Sequence, residues 1–295
     1  MLYWRKLAME VDVQEQDLKA LVSPLLQLCR EAGDVICAHY HGPGATEYQA
    51  KGDESPLTLA DLDSHTVLQA GLSGLDRSIP ILSEESAPAD LEHRRSWRCY
   101  WLVDPLDGTK EFLARTGEFT INIALIRDHR PVLGVLYLPL ERAAYVGIPG
   151  LEARFYRDAG NGEWSGGDLA TRRLEGGQPL TVLASRRHRG PRLQGCLEWL
   201  ESHWGPVSRR NSGSAVKFCQ LAQAEGDLYP RFSPCCEWDT AAGQAVLEAA
   251  GGVLLGLDGL PLRYNCQDSL LSPSFYAIGD KAHPLWRRLL QAGLG

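Results

Sequence analysis

The sequence predicts a mixed α and β fold of the α/β class, and three observations support that prediction. Near the start, apolar residues recur at intervals of three and four, as on one face of a helix. In the middle, three apolar and partly alternating runs are separated by charged turns, as in consecutive β-hairpins. In the last third, strand-like and helix-like segments alternate along the chain.

The composition is that of a globular protein. The chain has 295 residues, which suits one large domain or two closely joined ones, and 44% of them are hydrophobic. The formal net charge is −7, and no block of Lys and Arg is present that could neutralise a nucleic-acid polymer. No apolar run approaches the roughly 18 residues of a membrane helix, and the start lacks a signal-peptide pattern.

These features predict a soluble cytoplasmic protein that does not bind a nucleic-acid polymer. They leave open peripheral contact with a membrane face and the choice between monomer and homodimer. The eight cysteines are scattered, which without a secretory signal predicts reduced and mostly buried thiols. The adjacent pair Cys235 and Cys236 lacks the ligand spacing of a zinc site, so we interpret it as packing beside a turn.

Two helices are predicted in the first part of the chain. The second of these helices is predicted in "KGDESPLTLADLDSHTVLQAGLSGL". We place its start at Ser55-Pro56 and expect Leu62, Leu68 and Leu72 to be buried. The apolar face that predicts the first helix comprises Leu18, Leu21, Val22, Leu25, Cys29, Ala32, Val35 and Ile36.

The strands that follow predict a meander sheet and then a boundary. "SIPILSEES" is expected to form a short strand ending at Ser83, and "FTINIALIRDHRPVLGVLYLPLERAAYVGIP" supplies the three hairpin-like runs. "RDAGNGEWSGGDLATRRLEGGQP" is rich in glycine and charge and is interpreted as a loop between two halves. We therefore divide the chain into an N-terminal extension, 1–12, an N-terminal half, 13–178, and a C-terminal half, 179–295.

The C-terminal half is predicted to alternate between strand and helix. "LTVLASRRH" has the composition of a strand. "SGSAVKFCQLAQAEG" is expected to be a helix capped by serine and ended by Gly226. "DTAAGQAVLEAAGG" is expected to be an alanine-rich helix capped by Asp239.

Acidic residues recur where these elements end. Glu84 and Glu85 follow one strand, Asp104 and Asp107 lie in "YWLVDPLDGTKEF" after another, and Asp239 opens a helix. If these ends converge, the carboxylates repel one another by roughly 4 kcal/mol per close pair and need protons or cations. Carboxylates with a main-chain carbonyl are the hard oxygen ligands that suit Mg²⁺.

Each acidic residue also has a purely structural interpretation. Asp239 could serve only as a helix cap, Asp107 with Gly108 only as a turn, and Glu84 with Glu85 only as a solvated rim. The sequence does not by itself bring these residues together. The order and spacing of the motifs decide between the two interpretations.

Three motifs in order resemble those of the inositol monophosphatase-like, lithium-sensitive magnesium phosphatases. They are "SEES" at 83–86, "DPLDGT" at 104–109 and "EWDTAAG" at 237–243, and the resemblance covers nearly all of the chain after about residue 13. It implies a layered αβαβα sandwich of the sugar-phosphatase type and in-line phosphoester hydrolysis. It also implies that Asp61 and Thr109 are catalytic, because they position and deprotonate the attacking water. Two or three Mg²⁺ ions are implied, with ligands from Glu84, Asp104, the main-chain carbonyl of Leu106, Asp107, Asp239 and Asp61.

The C-terminal half is more similar to the CysQ-type 3'(2'),5'-bisphosphate nucleotidases than to the inositol phosphatases. The segments "NSGSAVKFCQLAQAEGDLYPRF" and "EWDTAAGQAVLEAAGG" carry this resemblance. It implies removal of the 3'-phosphate from adenosine 3',5'-bisphosphate, yielding AMP, and action on the sulfated analogue. The substrate contacts it implies are Glu84, Asp107, Gly108, Thr109, Lys110, His188, Ser214, Lys217, Arg231 and Asp239.

The sequence differs from this branch at one motif, and two alternative functions remain open. Members of the branch carry Gly-Pro-Thr where this chain has Ser233-Pro234-Cys235, so a threonine hydroxyl is replaced by a thiol. An inositol monophosphatase is the alternative enzyme, and the G-S-x-x-K and L-Y-P-R segments distinguish the two. A catalytically idle nucleotide- or metal-binding regulator is the alternative from another class, and retention of Asp61 and Thr109 argues against it.

Overall fold

The computed structural model describes residues 15–43, 48–50, 56–186 and 190–294. The helices are α1 Glu15–His41, α2 Leu59–Leu75, α3 Thr109–Leu113, α4 Pro191–His203, α5 Val216–Ala222, α6 Ala241–Ala249 and α7 Leu285–Gln291. The strands of the first half are β1 Gln49–Ala50, β2 Pro56–Leu57, β3 Ile81–Ser83, β4 Cys99–Asp107, β5 Thr120–Arg127, β6 Arg130–Leu138, β7 Ala143–Ile148, β8 Glu152–Asp158 and β9 Trp164–Asp168. Those of the second half are β10 Leu180–Ser185, β11 Val207–Ser212, β12 Leu228–Arg231, β13 Cys235–Cys236, β14 Val253–Gly256, β15 Leu271–Ser272 and β16 Phe275–Ile278.

Two sheets organise the molecule. The larger has seven strands in the order β3-β4-β5-β6-β7-β8-β9, and all its pairs after the parallel β3–β4 pair are antiparallel. This is the predicted meander with one parallel strand added at its edge. The smaller has five strands in the order β11-β10-β12-β16-β14 and mixes parallel and antiparallel pairs.

Helices cover both sheets and produce five layers. Both faces of the larger sheet are buried, because successive side chains of a strand point to opposite faces. In β4, Trp101 and Val103 pack with α1 and α2, while Tyr100 and Leu102 pack with α5 and α6. The helices α5 and α6 are shared with the smaller sheet, whose far side packs against α4 and α7. The order helix, sheet, helix, sheet, helix confirms the predicted αβαβα sandwich.

Several sequence predictions are confirmed in the elements. The helix α1 buries its predicted apolar face except for Val35, which is half-buried; β3 ends at Ser83, and β10 lies in the predicted segment. All eight cysteines are free, and only Cys266 is exposed. Among the described helices, none is both long and apolar enough to span a membrane. Residues 1–12 lie outside the described residues, and the division at residue 178 stays a prediction.

The predicted start of α2 is wrong. Pro56 and Leu57 form β2, which pairs with β1, and Thr58 stays extended as the N-cap, so the helix begins at Leu59; Ser55 lies outside the described residues. Leu68 and Leu72 are buried as predicted, but Leu62 is 40% exposed. The buried face of α2 instead runs through Ala60, Asp61, Ser64, Leu68 and Leu72.

The loop predicted between the halves contains a strand. Residues 164–168 form β9, which pairs with β8 at the edge of the larger sheet. Most of its residues are exposed, so its composition of serine, glycine and aspartate resembles that of a loop. An edge strand with little apolar burial leaves no alternating pattern to detect.

Two predicted helix ends in the second half are also wrong. The helix α5 ends at Ala222, four residues before Gly226, and Ala224 then adopts a left-handed backbone with φ 65°. The helix α6 begins at Ala241 with Thr240 as its N-cap. Asp239 ends a short 3-10 turn before that helix, so its carboxylate does not cap α6.

Candidate active site

The strand β4 carries two aspartates, Asp104 and Asp107, at its C-terminal end. Its pairing with β5 shifts register between Asp104 and Asp107, and Pro105 lies in the irregular stretch. The main-chain carbonyl of Pro105 accepts a hydrogen bond of 2.8 Å from the Ser64 hydroxyl on α2. The Leu106 amide donates to Asp104 Oδ1 at 3.0 Å, which fixes that carboxylate at the bend.

Asp239 joins these two residues from the other half of the chain. It lies in the turn before α6, where its Oδ2 accepts the Cys236 amide at 2.9 Å. Carboxylate oxygens of Asp104, Asp107 and Asp239 all lie within 4.8 Å of one another. The convergence on which the sequence argument depended is therefore present in the structure.

The three carboxyl groups are destabilised as anions. Burial, followed by the charges of Glu84, Asp107 and Asp239, raises the pKa of Asp104 well above its ordinary value. Burial first and the Asp107 charge second raise the pKa of Asp239 to about 7. Burial raises the pKa of Asp107 to about 6, although Lys217, Asn122 and the Ala215 amide favour its ionised form. A cation among them would relieve this repulsion.

Glu84 and Leu106 are two further predicted ligands near this cluster. The Glu84 amide donates to the Val103 carbonyl at 3.1 Å, which places Glu84 where β3 ends beside β4. Its charge contributes to the raised pKa values of Asp61, Asp104 and Asp239, so its carboxylate shares their surroundings. These hard oxygen donors fit Mg²⁺ better than a thiolate-preferring metal.

Asp61 and Thr109 meet, although 48 positions separate them in the sequence. The Thr109 hydroxyl donates to Asp61 Oδ1 at 3.1 Å. The amide and hydroxyl of Thr58 donate to Asp61 Oδ2 at 2.8 and 2.5 Å, which fixes the carboxylate in the first turn of α2. Burial is the main cause that raises the pKa of Asp61, and the nearby Glu84 also raises it.

Gly108 forms the turn between the aspartates and α3. Its φ of +96° is in the left-handed region, and a Cβ at this position would lie 3.0 Å from the Glu118 carbonyl oxygen. The turn therefore requires glycine, and it leads directly into Thr109 and Lys110 at the start of α3.

A cleft of about 280 Å³ lies beside the carboxylates. Asp107 and Asp239 line it, together with four further predicted substrate contacts, Lys110, Ser214, Lys217 and Arg231. A second cavity of about 530 Å³ shares Ser185, Tyr229 and Arg231 with the cleft. The two spaces together offer room for a ligand larger than a phosphate group.

Lys217 and Arg231 line the cleft, but their hydrogen bonds are made to the chain itself. Lys217 Nζ donates to the carbonyls of Ser212, Gly213 and Ser214 at 3.1, 3.0 and 2.6 Å, and the side chain is buried. Burial and the charge of Arg231 lower the pKa of Lys217 to about 8. All three hydrogens of the ammonium therefore have partners, and contact with a substrate requires one of them to be exchanged.

Arg231 supports the segment before Asp239. Its Nε donates to the Ser233 carbonyl at 3.1 Å, and its Nη2 donates to the Pro234 carbonyl at 3.0 Å. Its Nη1 donates to the Tyr229 hydroxyl at 3.3 Å. A guanidinium has five N–H donors, so this arrangement still permits contact with an anion in the cleft.

The remaining predicted residues are divided between the described and undescribed parts of the chain. Ser214 lies in a turn with φ 36°, and the next amide, that of Ala215, donates to Asp107 Oδ2 at 2.6 Å. This bond joins the substrate-side turn directly to the carboxylate cluster. His188 lies outside the described residues, so its predicted contact stays a prediction.

One buried amide at this site was not predicted from the sequence. Asn122 Nδ2 contacts Asp107 Oδ2 and the Trp238 carbonyl, both at 3.4 Å, and the Thr120 hydroxyl donates to Asn122 Oδ1 at 2.8 Å. It thereby links the two aspartate-bearing segments. A single amide within the apolar run "FTINIALI" was the signal that could have identified it.

Cys235, at the position where the resembling branch carries threonine, also lines the cleft. Burial, followed by the charge of Asp239, raises the pKa of its thiol to about 12. The thiol is therefore protonated near neutral pH. It contributes a small apolar wall and a weak donor in place of a hydroxyl group.

Comparison with known proteins identifies relatives across almost the whole chain. Residues 17–289 match the model of the Inositol monophosphatase family. The 3'(2'),5'-bisphosphate nucleotidase CysQ of Salmonella typhimurium is 42% identical over 255 residues, which are 86% of this chain and 98% of that protein. The protein of the same name from Escherichia coli K12 is 40% identical with the same coverage.

Solved structures show the same fold. CysQ from Bacteroides thetaiotaomicron, described as a bacterial member of the inositol monophosphatase family, is 34% identical with a TM-score of 0.76, over 90% of this chain and 98% of that chain. An inositol monophosphatase from Zymomonas mobilis has a TM-score of 0.71 at 23% identity, over 96% of this chain and 99% of that one. The second likeness is one of fold alone.

Proposed function

Because the chain belongs to the inositol monophosphatase family, we propose that it is a 3'(2'),5'-bisphosphate nucleotidase. It removes the 3'-phosphate of adenosine 3',5'-bisphosphate and yields AMP and phosphate, and it also accepts the sulfated analogue, 3'-phosphoadenylyl sulfate. The observation that carries this proposal is the 40–42% identity to CysQ nucleotidases over nearly their whole length. The inositol monophosphatases among the solved structures are more distant, with the Zymomonas mobilis enzyme at 23% identity.

Magnesium is the proposed cofactor, in two or three ions as the family resemblance implies. The proposed ligands are the carboxylates of Asp61, Glu84, Asp104, Asp107 and Asp239 with the Leu106 carbonyl. The mutual proximity of Asp104, Asp107 and Asp239 and the raised pKa values of these three carboxyl groups support this assignment. When bound, Mg²⁺ supplies charge neutralisation, a lowered pKa for a bound water and stabilisation of the leaving oxygen.

The chain's own contribution to water activation is the pair of Asp61 and Thr109. Thr58 holds Asp61 Oδ2, so Oδ1 is left to accept the Thr109 hydroxyl hydrogen. With its hydrogen directed at Asp61, the Thr109 oxygen presents its lone pairs to a water molecule. A proton can then move from that water through the hydroxyl to Asp61 Oδ1, whose raised pKa suits it to accept a proton.

The nucleotide is proposed to lie along the cleft and the cavity that adjoins it. Lys110 and Arg231 line the cleft, and both carry positive charge for the second phosphate. Ser185, Tyr229 and Arg231 are common to the cleft and the cavity, so a nucleoside can extend from one space into the other. A small phosphomonoester such as inositol 1-phosphate uses only part of this surface.

Phosphate release from a substrate panel tests the proposal. The panel is adenosine 3',5'-bisphosphate, its sulfated analogue and inositol 1-phosphate, each with Mg²⁺ and with chelator. We expect the bisphosphate to have the highest kcat/KM and the activity to require Mg²⁺. Preference for inositol 1-phosphate would replace the proposal with the inositol phosphatase alternative, and no release from any substrate would favour the idle regulator. Lithium, with potassium as the ionic-strength control, is expected to inhibit.

A further inference from the structure

Glu118, just before β5, contacts two segments on the substrate side of the cleft. Its Oε1 accepts Arg186 Nη2 at 2.6 Å, and its Oε2 accepts the Gly213 amide at 2.8 Å. The Glu118 side chain is 22% exposed and that of Arg186 is 48% exposed. One carboxylate therefore joins the segment after β10 to the turn after β11.

Glu118 also packs closely against that turn. A Cβ at Gly213 would lie 3.1 Å from Glu118 Cβ and 2.6 Å from Glu111 Cγ. The backbone of Gly213 therefore approaches residue 118 more closely than a side chain at position 213 would allow. A shift of Glu118 must be accompanied by a shift of this turn.

Three charged side chains fix the turn at different points. Glu118 holds the Gly213 amide, Lys217 holds the carbonyls of Ser212, Gly213 and Ser214, and Asp107 holds the Ala215 amide. The Asp107 end belongs to the carboxylate cluster. The Glu118 end is joined to Arg186, whose neighbour Ser185 lines both the cleft and the adjoining cavity.

We propose that Glu118 is a positioning residue for nucleotide binding. It holds the Gly213–Ser214 turn and the Arg186 guanidinium where a bisphosphate substrate meets them, and it takes no part in hydrolysis. This role rests on the proposed nucleotidase function. Loss of the Glu118 charge leaves the Asp107 end of the turn in place, so substrate binding suffers and the chemical step does not.

Steady-state kinetics of Glu118→Gln with adenosine 3',5'-bisphosphate test the role. The amide keeps an acceptor for Gly213 but loses the charge that holds Arg186, so we expect KM to rise about tenfold with kcat within about twofold of wild type. We expect kcat/KM for inositol 1-phosphate to change by less than about twofold. The matched control is Glu141→Gln, which breaks the exposed salt bridge to Arg157 (4.0 Å). It should leave kcat and KM unchanged for both substrates.

Arg186→Gln supplies the second arm, because an exposed arginine is replaced without disturbing the fold. It should reproduce the rise in KM, and the double variant should be no worse than the stronger single variant, since both changes break one interaction. An unchanged KM in both single variants, or equal losses of kcat on both substrates, would overturn the positioning role. Failure of the nucleotidase proposal is distinct, because it appears in the wild type as preference for inositol 1-phosphate.

Discussion

The two sides of the cleft use charge in opposite ways. On the carboxylate side, Asp104 and Asp239 face other acids, and burial with mutual repulsion raises their pKa values. On the substrate side, Lys217 and Arg231 direct their donors at main-chain carbonyls and so fix the backbone around them. On the first side, the charges of Lys217 and Arg231 offset only part of the burial and repulsion that raise the pKa values of Asp107 and Asp239, whereas the cations of the second side have hydrogen-bond partners in the backbone.

This difference separates function from stability. A cluster of buried carboxylates costs folding free energy, so its presence is explained by the cations it binds. Buried cations bound to carbonyls are explained first by the turn and the segment that they hold. Substitutions on the carboxylate side should therefore remove activity without loss of stability, whereas substitution of the buried Lys217 on the substrate side should change both.

The largest expected effect is that of Asp104→Asn. The amide keeps an oxygen for the Leu106 amide but removes a ligand charge. Loss of several kcal/mol of transition-state stabilisation corresponds to a fall in kcat of about a thousandfold. The metal-free variant should have a higher Tm than the metal-free wild type at pH 8, because one repelling charge is gone. Near-normal hydrolysis at saturating Mg²⁺ would show that Asp104 is not a ligand.

Thr109→Ala should have the next largest effect, a fall in kcat of about a hundredfold. The hydroxyl bridges Asp61 and the water, and it is not an expected metal ligand, so the Mg²⁺ concentration for half-maximal activity should change little. Thr109→Ser is the matched control, since it retains the hydroxyl and should recover most of the rate. If alanine and serine variants were equally active, Thr109 would be reduced to the first residue of α3.

Lys217→Met tests the substrate side and should act on two properties. Three buried carbonyls lose their donor, so the free energy of unfolding should fall by about 1–3 kcal/mol. The loosened turn should raise KM for adenosine 3',5'-bisphosphate by about tenfold. Thermal unfolding of the ligand-free protein decides the cause: an unchanged Tm with a raised KM would mean that Lys217 serves substrate contact alone.

The smallest expected effect is a pH dependence of stability in the metal-free protein. The folded pKa values of Asp107 and Asp239, about 6 and about 7, lie above the ordinary 3.8, so the folded state binds more protons between these values. The stability they contribute is fully present below pH 3.8 and is lost as pH rises through 6 to 7.

Thermal unfolding at a series of pH values checks this sign. The Tm of the chelated wild type should fall between pH 5 and 8 more steeply than that of Asp239→Asn, which lacks one of the two groups that titrate in this range. Added Mg²⁺ should raise Tm more at pH 8 than at pH 5, because the metal competes with protons for the carboxylates. If Tm changed with pH in the same way in both proteins, the substituted aspartate would not lose its proton in this pH range.

The acidic motifs could be recognised because each is a contiguous pattern, and the αβαβα sandwich was implied by the family resemblance that these motifs carry. An unbroken apolar run predicts β4. The motif "DPLDGT" contains both the bend and its two aspartates. The hydrogen bond between Asp61 and Thr109 agrees with the roles that the resemblance implied. Asn122 was missed because one amide in an apolar strand carries no motif, although it joins two parts of the site.

The substrate side was harder to predict because its interactions are made to the backbone. The motif "GSAVK" identifies Lys217 but does not reveal that its ammonium faces three carbonyls. The helix end predicted at Gly226 failed for a related reason, since a left-handed residue at Ala224 redirects the chain earlier than a glycine would suggest. Glu118 had no signal at all, because its partners lie 68 and 95 positions away.

In the proposed function, the substrate side of the cleft recognises the 5'-phosphate, and the carboxylate side hydrolyses the 3'-phosphate. The most direct measurement compares kcat/KM of the wild type for adenosine 3',5'-bisphosphate and adenosine 3'-monophosphate at one saturating Mg²⁺ concentration. One charge-assisted contact to the 5'-phosphate predicts a preference of about ten- to a hundredfold for the bisphosphate. Equal values for the two nucleotides, or a higher value for the monophosphate, would contradict the account.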